Sequence, residues 1–189
     1  MSAIARTAGV SKAALYLYFD SRAALVAGIL LRNASRMTPV LRDALANASS
    51  GIEAIRALLE AHLEFYEAHP QHFAFMLAGL LNRRHVATDE QAFAEFRAKV
   101  GENVGLVTKA IERGKLDGTI RKDVDTRLLA KHLWASFLGV FLMHYDCEEH
   151  CHRSPLPVDS RALVATHIEL ELRAIGPSPS VETSPPGAS

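Results

Sequence analysis

The densest run of side chains able to do chemistry is His144-Tyr145-Asp146-Cys147-Glu148-Glu149-His150-Cys151-His152. On a continuing helix His144, Cys147 and Cys151 fall at i, i+3 and i+7, on one face, where they could share a zinc-type ion with His150 or His152. The spacing matches no standard zinc pattern, and an i, i+4 cysteine pair on a helix is poorly angled for a disulfide. Histidines near a helix end also complement its C-terminal dipole. No metal is therefore assigned, and His144, Cys147 and Cys151 remain the one set on which a metal- or thiol-sensing role could be built. Elsewhere the histidines form no Ser/His/Asp or Cys/His arrangement, and no glycine-rich phosphate loop appears, so neither an enzyme nor a cofactor is expected.

Charge points to a different chemistry. Lysine plus arginine and aspartate plus glutamate number 21 each in 189 residues, for a net charge of zero. The zero is unevenly spread. Residues 1–46 hold six basic side chains (Arg6, Lys12, Arg22, Arg32, Arg36, Arg42) against two acidic ones (Asp20, Asp43), and the rest of the chain carries the balancing excess of acid. A basic head on an acidic body is the pattern of a protein whose head alone meets a polyanion. The longest largely apolar run, Leu133 to Met143, is 11 residues and too short to span a bilayer. There is no signal-peptide pattern and two cysteines make no disulfide framework, so a cytoplasmic protein without a membrane partner is expected.

The elements that must position these groups read as helices nearly throughout, with glycine and proline between segments and no sustained period-2 alternation. Ser50-Gly51-Ile52-Glu53 has capping-box spacing before a helix to about Ala68, and Pro70 suits the first turn of another, to about Arg83. Thr88 to Gln91 is a second capping-box match, opening a helix to about Arg113 that stops before Gly114. Asp117-Gly118 marks a turn, Asp123 or Asp125 can cap the next long helix, and Asp159 or Ser160 caps a last one to about Ile175. The expected organisation is a head and connecting helix over 1–46, a helical body over 47–175 and a disordered Pro/Ser/Gly-rich tail over 176–189.

Within the head, Ile4 to Leu25 reads IARTAGVSKAALYLYFDSRAAL. Ile4, Ala5 and Ala8 give a short helix a small apolar face, Gly9 permits a tight turn, Val10 is expected to plug the angle, and Ser11 can cap the second helix. Leu15 and Phe19 would dock that helix on the core. These are the requirements of a helix-turn-helix: small residues at the crossing, a glycine-type turn and a polar outer face on the second helix.

The string I-A-x-x-A-G-V-S-x-x-x-L-Y-x-Y-F-x-S-[KR]-x-x-L resembles the DNA-binding signature of tetracycline-repressor-like (TetR) transcriptional regulators. Gly9, Val10, Ser11, Leu15, Tyr16, Tyr18, Phe19, Ser21 and Leu25 match as they stand, Arg22 replaces the commoner lysine, and Ala13 stands where glycine is common. The motif covers residues 4–25; beyond them only the helical architecture is similar. The resemblance implies an all-α fold, with a helix-turn-helix head on a helical ligand-binding and dimerisation body. It also implies that Ser11, Lys12, Ala13, Ala14, Tyr16, Tyr18 and Arg22 contact DNA, the first positions of the second helix meeting bases and Tyr18, Arg22 and Ser11 holding phosphates. Members of the family carry a further helix before the Ile-Ala pair; Met1 stands three residues before Ile4, so the three-helix head is expected to lack its first helix.

For the body, the resemblance implies a small-molecule pocket among the middle helices. Candidates are His62, Phe65, Tyr66, Phe73, Met76, Leu80, Phe93, Phe96, Trp134, Phe137 and Phe141, an apolar and aromatic set. It implies too that the last two helices pair with their two-fold mates in a homodimer, through Ser136, Gly139, Val140, Leu163, Val164, His167 and Ile168. The function expected is a ligand-responsive repressor that binds a palindromic double-stranded operator as a homodimer and is released by a small hydrophobic or aromatic effector. The alternatives are a head-truncated dimer that binds small molecules but not DNA, and the metal- or thiol-sensing regulator.

Overall fold

The computed structural model describes residues 1–81, 90–150 and 159–177, and the described residues form an all-α fold without a strand. In chain order the helices are α1 (Ser2–Thr7), α2 (Lys12–Tyr18), α3 (Arg22–Ala46), α4 (Gly51–Ala68), α5 (Pro70–Leu81), α6 (Ala94–Asp117), α7 (Thr126–His150) and α8 (Ser160–Ile175). No single helix among the described residues is long and apolar enough to cross a membrane. Of the expected tail only Gly176 and Pro177 are described.

Two compact units divide the chain: residues 1–47 with 57–107, and residues 48–56 with 108 onward. The head shares a unit with most of α4, with α5 and with the first half of α6. In that unit α3 packs on α5. Ala27 and Leu30 of α3 meet Phe93, with Val26, Phe75 and Phe96 packed around them. Thr38, buried in α3, donates its hydroxyl to the Ala34 carbonyl at 3.1 Å and lies 2.8 Å from Asn103 Oδ1, while the Asn103 amide donates to the same carbonyl at 3.1 Å.

In the second unit the capping signals are met with additions that spacing does not reveal. Ser50 accepts from the Glu53 N–H at 3.3 Å, but the Glu53 carboxylate turns to the N–H and hydroxyl of Ser49. The next two free N–H groups of α4 are taken from elsewhere: Gly51 donates to Asp117 Oδ2 at 2.7 Å and Ile52 to Thr119 Oγ1 at 3.1 Å. Asp125 caps α7 through the Leu128 N–H at 2.8 Å, and Asp159 caps α8 through the Ala162 N–H at 2.9 Å. Asp123 instead holds Arg121 in a bidentate pair at 2.6 and 2.7 Å.

One expected boundary is wrong. α6 does not stop before Gly114 but runs through it to Asp117. Gly114 is buried because α4 crosses there: a side chain on Gly51 would collide with Gly114 Cα and N, and one on Gly114 would meet Ile120 at 2.5 Å. The glycine marks a close approach of two helices rather than an end. The helix described after the second capping-box match begins at Ala94, and Thr88 and Asp89 lie outside the described residues.

Candidate nucleic-acid interface

The head is built by two short helices and the start of a third. α1 ends in paired turn bonds, Gly9 N–H to Arg6 carbonyl at 3.2 Å and Val10 N–H to Ala5 carbonyl at 3.0 Å, with Gly9 at φ 68°. That is a Schellman termination, and the left-handed residue at its centre favours glycine. Ala5 is the one buried side chain of α1. Val10 does not plug the interhelical angle as expected: its N–H is spent on the turn and its side chain stays 44% exposed.

Ser11 then opens α2, its Oγ accepting from the Ala14 N–H at 3.0 Å. The hydroxyl proton is left to donate outward. Lys12, Ala13, Tyr16, Leu17 and Tyr18 are exposed, and Ala14 and Leu15 are half-buried. Tyr18 and Leu17 are the most open, each 83% exposed. Lys12 Nζ stands 5.9 Å from the centre of the Tyr16 ring one turn on, so the cation and the aromatic edge share a face. Ser21 repeats the capping device for α3, accepting from the Ala24 N–H at 3.0 Å, and places exposed Arg22 at the first position of a 25-residue helix. A guanidinium beside free N–H groups at a helix start favours a bound phosphate. Phe19 anchors the junction, its ring so near Gly28 that a side chain there would sit 3.2 Å from Cε1. Neither that packing partner nor exposed Leu17 was singled out from sequence.

Comparison with known proteins places this geometry. Residues 1–29 match the profile of bacterial regulatory proteins of the tetR family. The chain is 34% identical over 164 residues to the HTH-type transcriptional activator FasR of Mycolicibacterium smegmatis, a match spanning 87% of this chain and 68% of FasR. The chain belongs to the TetR family. Among solved structures, the TetR fold is shared with FadR of Bacillus subtilis in complex with stearoyl-CoA, at 14% identity and TM-score 0.71 over 92% of this chain and 87% of that one. It is shared as well with the ketosteroid regulator KstR2 of Mycobacterium tuberculosis, at 18% identity and TM-score 0.67 over 93% and 83%. As a TetR-family member the protein is a DNA-binding transcription regulator.

The body of this TetR-family regulator places the remaining candidates in separate groups. In the first unit Phe65, Tyr66 and Phe73 make edge-to-face contacts at 5.6 and 5.4 Å, and the Tyr66 hydroxyl donates to Met76 Sδ at 3.3 Å. Burial pushes the Tyr66 phenol up to about 12. His62 Nδ1 lies 2.7 Å from the Leu58 carbonyl, which fixes its proton on that nitrogen, and burial holds its pKa below the usual value. Phe93 and Phe96 meet 6.3 Å apart beside α3. The side chain of Leu80 lies outside the described residues.

In the second unit Phe137 and Phe141 stack at 5.7 Å on the inward face of α7. Trp134 is on another face, 40% exposed among the described residues, with Lys131 Nζ 4.5 Å above its ring. Leu133, Phe137 and Phe141 occupy the inward stripe and leave it outside. Two expected interface residues also change place: Val164 and Ile168 are fully buried within the chain, because they form the inner stripe of α8 with Leu172 and Ile175. Ser136, Val140, Leu163 and His167 are half-buried and Gly139 is exposed. The side chains of His144, Cys147 and Cys151 lie outside the described residues; among those described, no group of three metal-ligating side chains is found.

Proposed function

We propose that this TetR-family protein is a cytoplasmic, ligand-responsive repressor that grips a palindromic double-stranded DNA operator as a homodimer and leaves it when a small apolar effector binds in the body. The observation that carries the reading is the capped, solvent-facing α2, with Lys12, Tyr16 and Tyr18 on its open side and Arg22 at the next helix start. Lys12, Ala13, Ala14 and Tyr16 enter the major groove, where a lysine reads guanine O6 and N7 and alanine methyls meet thymine methyls. Ser11, Tyr18 and Arg22 hold phosphates and set the register. Two heads about one helical turn of DNA apart, roughly 34–36 Å, read the two half-sites. The dimer forms through α7 and α8, with Ser136, Gly139, Val140, Leu163 and His167 facing the partner.

The effector reading rests on the aromatic group of α4 and α5. FadR in complex with stearoyl-CoA and the ketosteroid regulator KstR2 share the fold, and the small molecules in both names carry a large apolar part, an acyl chain or a steroid. An effector that changes the separation of the heads removes the fit to both half-sites at once. Activation is a second reading, favoured by one observation: FasR, the 34% identical relative, is an activator.

The test is fluorescence anisotropy against DNA from upstream of the gene, at one stated salt concentration, with this chain and with a version extended through the upstream in-frame codons. Specific binding by either form supports the reading. Dimers of both forms that bind no specific DNA leave a small-molecule-binding module in its place. Transcription in vitro from the same promoter then fixes the sign.

A further inference from the structure

α2 turns more apolar surface to solvent than its packing in the head accounts for. The Ser11 cap, with Oγ 3.0 Å from the Ala14 N–H, fixes the start of the helix and therefore which residues share a face. Leu15 is half-buried, and half-buried Phe19 closes the helix by donating its N–H to the Leu15 carbonyl at 3.0 Å. Leu17 follows Leu15 by two residues, just over half of a turn of about 3.6 residues, so it leaves the helix on the opposite side. Ala13, one turn before Leu17, is exposed on that same side. The two make one apolar strip, bordered by exposed Tyr16 and ending in a leucine that is 83% exposed.

The polar groups beside the strip have other chemistry to do. Lys12, whose Nζ stands 5.9 Å from the centre of the Tyr16 ring, brings charge to guanine or phosphate, and the Tyr16 and Tyr18 hydroxyls can donate to phosphate. Leu17 has neither charge nor hydrogen bond to offer. Set against a phosphate, or against a base donor or acceptor, it would take a polar group out of water without replacing its hydrogen bond, which costs free energy. Set against an apolar group it releases water from both surfaces, which is favourable. In the major groove only thymine presents such a group, its 5-methyl.

We infer that Leu17, extending the strip begun by the Ala13 methyl, is a specificity-determining residue that selects thymine through its 5-methyl group. Each half-site of the operator then carries an A·T pair beneath Leu17, with the thymine methyl against the leucine. This rests on the reading of α2 as the element that enters the major groove, and deepens it by naming a base preference and the side chain that sets it. Lys12 at the start of α2 and Leu17 near its end thus read by different physics, one by charge and hydrogen bond and the other by apolar contact.

The experiment selects double-stranded sites from a random-sequence library with the full chain, then measures binding to the enriched site by fluorescence anisotropy. Each thymine of the site is replaced in turn by deoxyuridine, which keeps every hydrogen-bonding group and removes only the methyl. At one thymine of each half-site the replacement is expected to weaken binding about fourfold, as loss of one buried methylene-sized contact requires. Leu17→Ala should lose that discrimination, and Leu17→Met, which keeps the apolar reach, should restore it. Lys12→Ala should bind more weakly yet keep the deoxyuridine response. Leu17 is exposed, and an unchanged circular dichroism spectrum and unfolding midpoint establish that its variants are folded. An enriched site in which every thymine accepts deoxyuridine without loss overturns the inference alone, as does an equal response in the parent chain and Leu17→Ala. A Leu17→Ala chain altered in self-association but not in its deoxyuridine response assigns the leucine to a protein contact, and so overturns it too. A library that yields no enriched site overturns both the inference and the reading of α2 as a base-reading helix.

Discussion

Gly51→Ala adds a single methyl group at the crossing of α4 and α6, where the sequence shows only an unremarked glycine after a serine. The new carbon would fall within the van der Waals envelope of Gly114 Cα and N, and 2.9 Å from the Ala110 carbonyl oxygen, where ordinary contact begins at 3.4 Å. All three neighbours are backbone, so no rotamer change relieves the overlap. The first turn of α4 must retreat by at least half an ångström from that oxygen alone. Retreat stretches the bonds from Gly51 N–H to Asp117 and from Ile52 N–H to Thr119, now 2.7 and 3.1 Å. Overpacking of this kind costs about 1–3 kcal/mol and each of the two weakened hydrogen bonds about 0.5–1.5 kcal/mol, for an expected loss of roughly 2–6 kcal/mol. Urea unfolding should show a lower midpoint at unchanged slope. The control is Gly101→Ala, in the body of α6 with nothing within 4 Å, which should gain about 0.5–1 kcal/mol from helix propensity. A Gly51→Ala unfolding free energy within about 0.5 kcal/mol of the parent chain, or equal losses at both sites, would refute the close-crossing argument.

Arg22→Ala should weaken binding to all DNA alike and reduce the slope of log affinity against log salt by about 0.9, the value of one phosphate contact; an unchanged slope removes Arg22 from the backbone. Lys12→Ala should cost about 1–3 kcal/mol on the preferred operator and less on variants changed at one or two bases, so equal losses across a panel of sites would sink its role in base reading. Stability should fall as pH drops from 7 through 6.5, because His62, His72 and His167 all have folded pKa values below their usual 6.5 and the unfolded chain takes up protons first. His62→Gln removes one of these protons and should flatten that slope by up to about 1.4 kcal/mol per pH unit; the same slope in the variant would show that His62 is not held neutral by burial.

The head was legible because its requirements are local. A Schellman turn at Gly9, a serine cap at Ser11 and a second at Ser21 each span four or five residues, so sequence spacing fixes their geometry before any long-range contact forms. The caps at Asp125 and Asp159 follow the same rule. Amphipathic spacing likewise placed α4, α5, α7 and α8 near their observed limits.

Tertiary packing decided what spacing left open. Gly114 reads as a helix stop until α4 is laid across it, since the same missing side chain serves a terminus or a close approach. Val164 and Ile168 lie on the inner stripe of α8 rather than on an outer face because the helix has apolar residues on more than one side, and only the neighbours determine which stripe turns inward. Thr38 and Asn103, 65 residues apart in sequence, meet over the Ala34 carbonyl only through tertiary packing. Local hydrogen-bonding rules therefore place most helix starts, whereas whether a glycine ends a helix and which neighbour each face meets depend on contacts between residues distant in the chain, which no short pattern encodes.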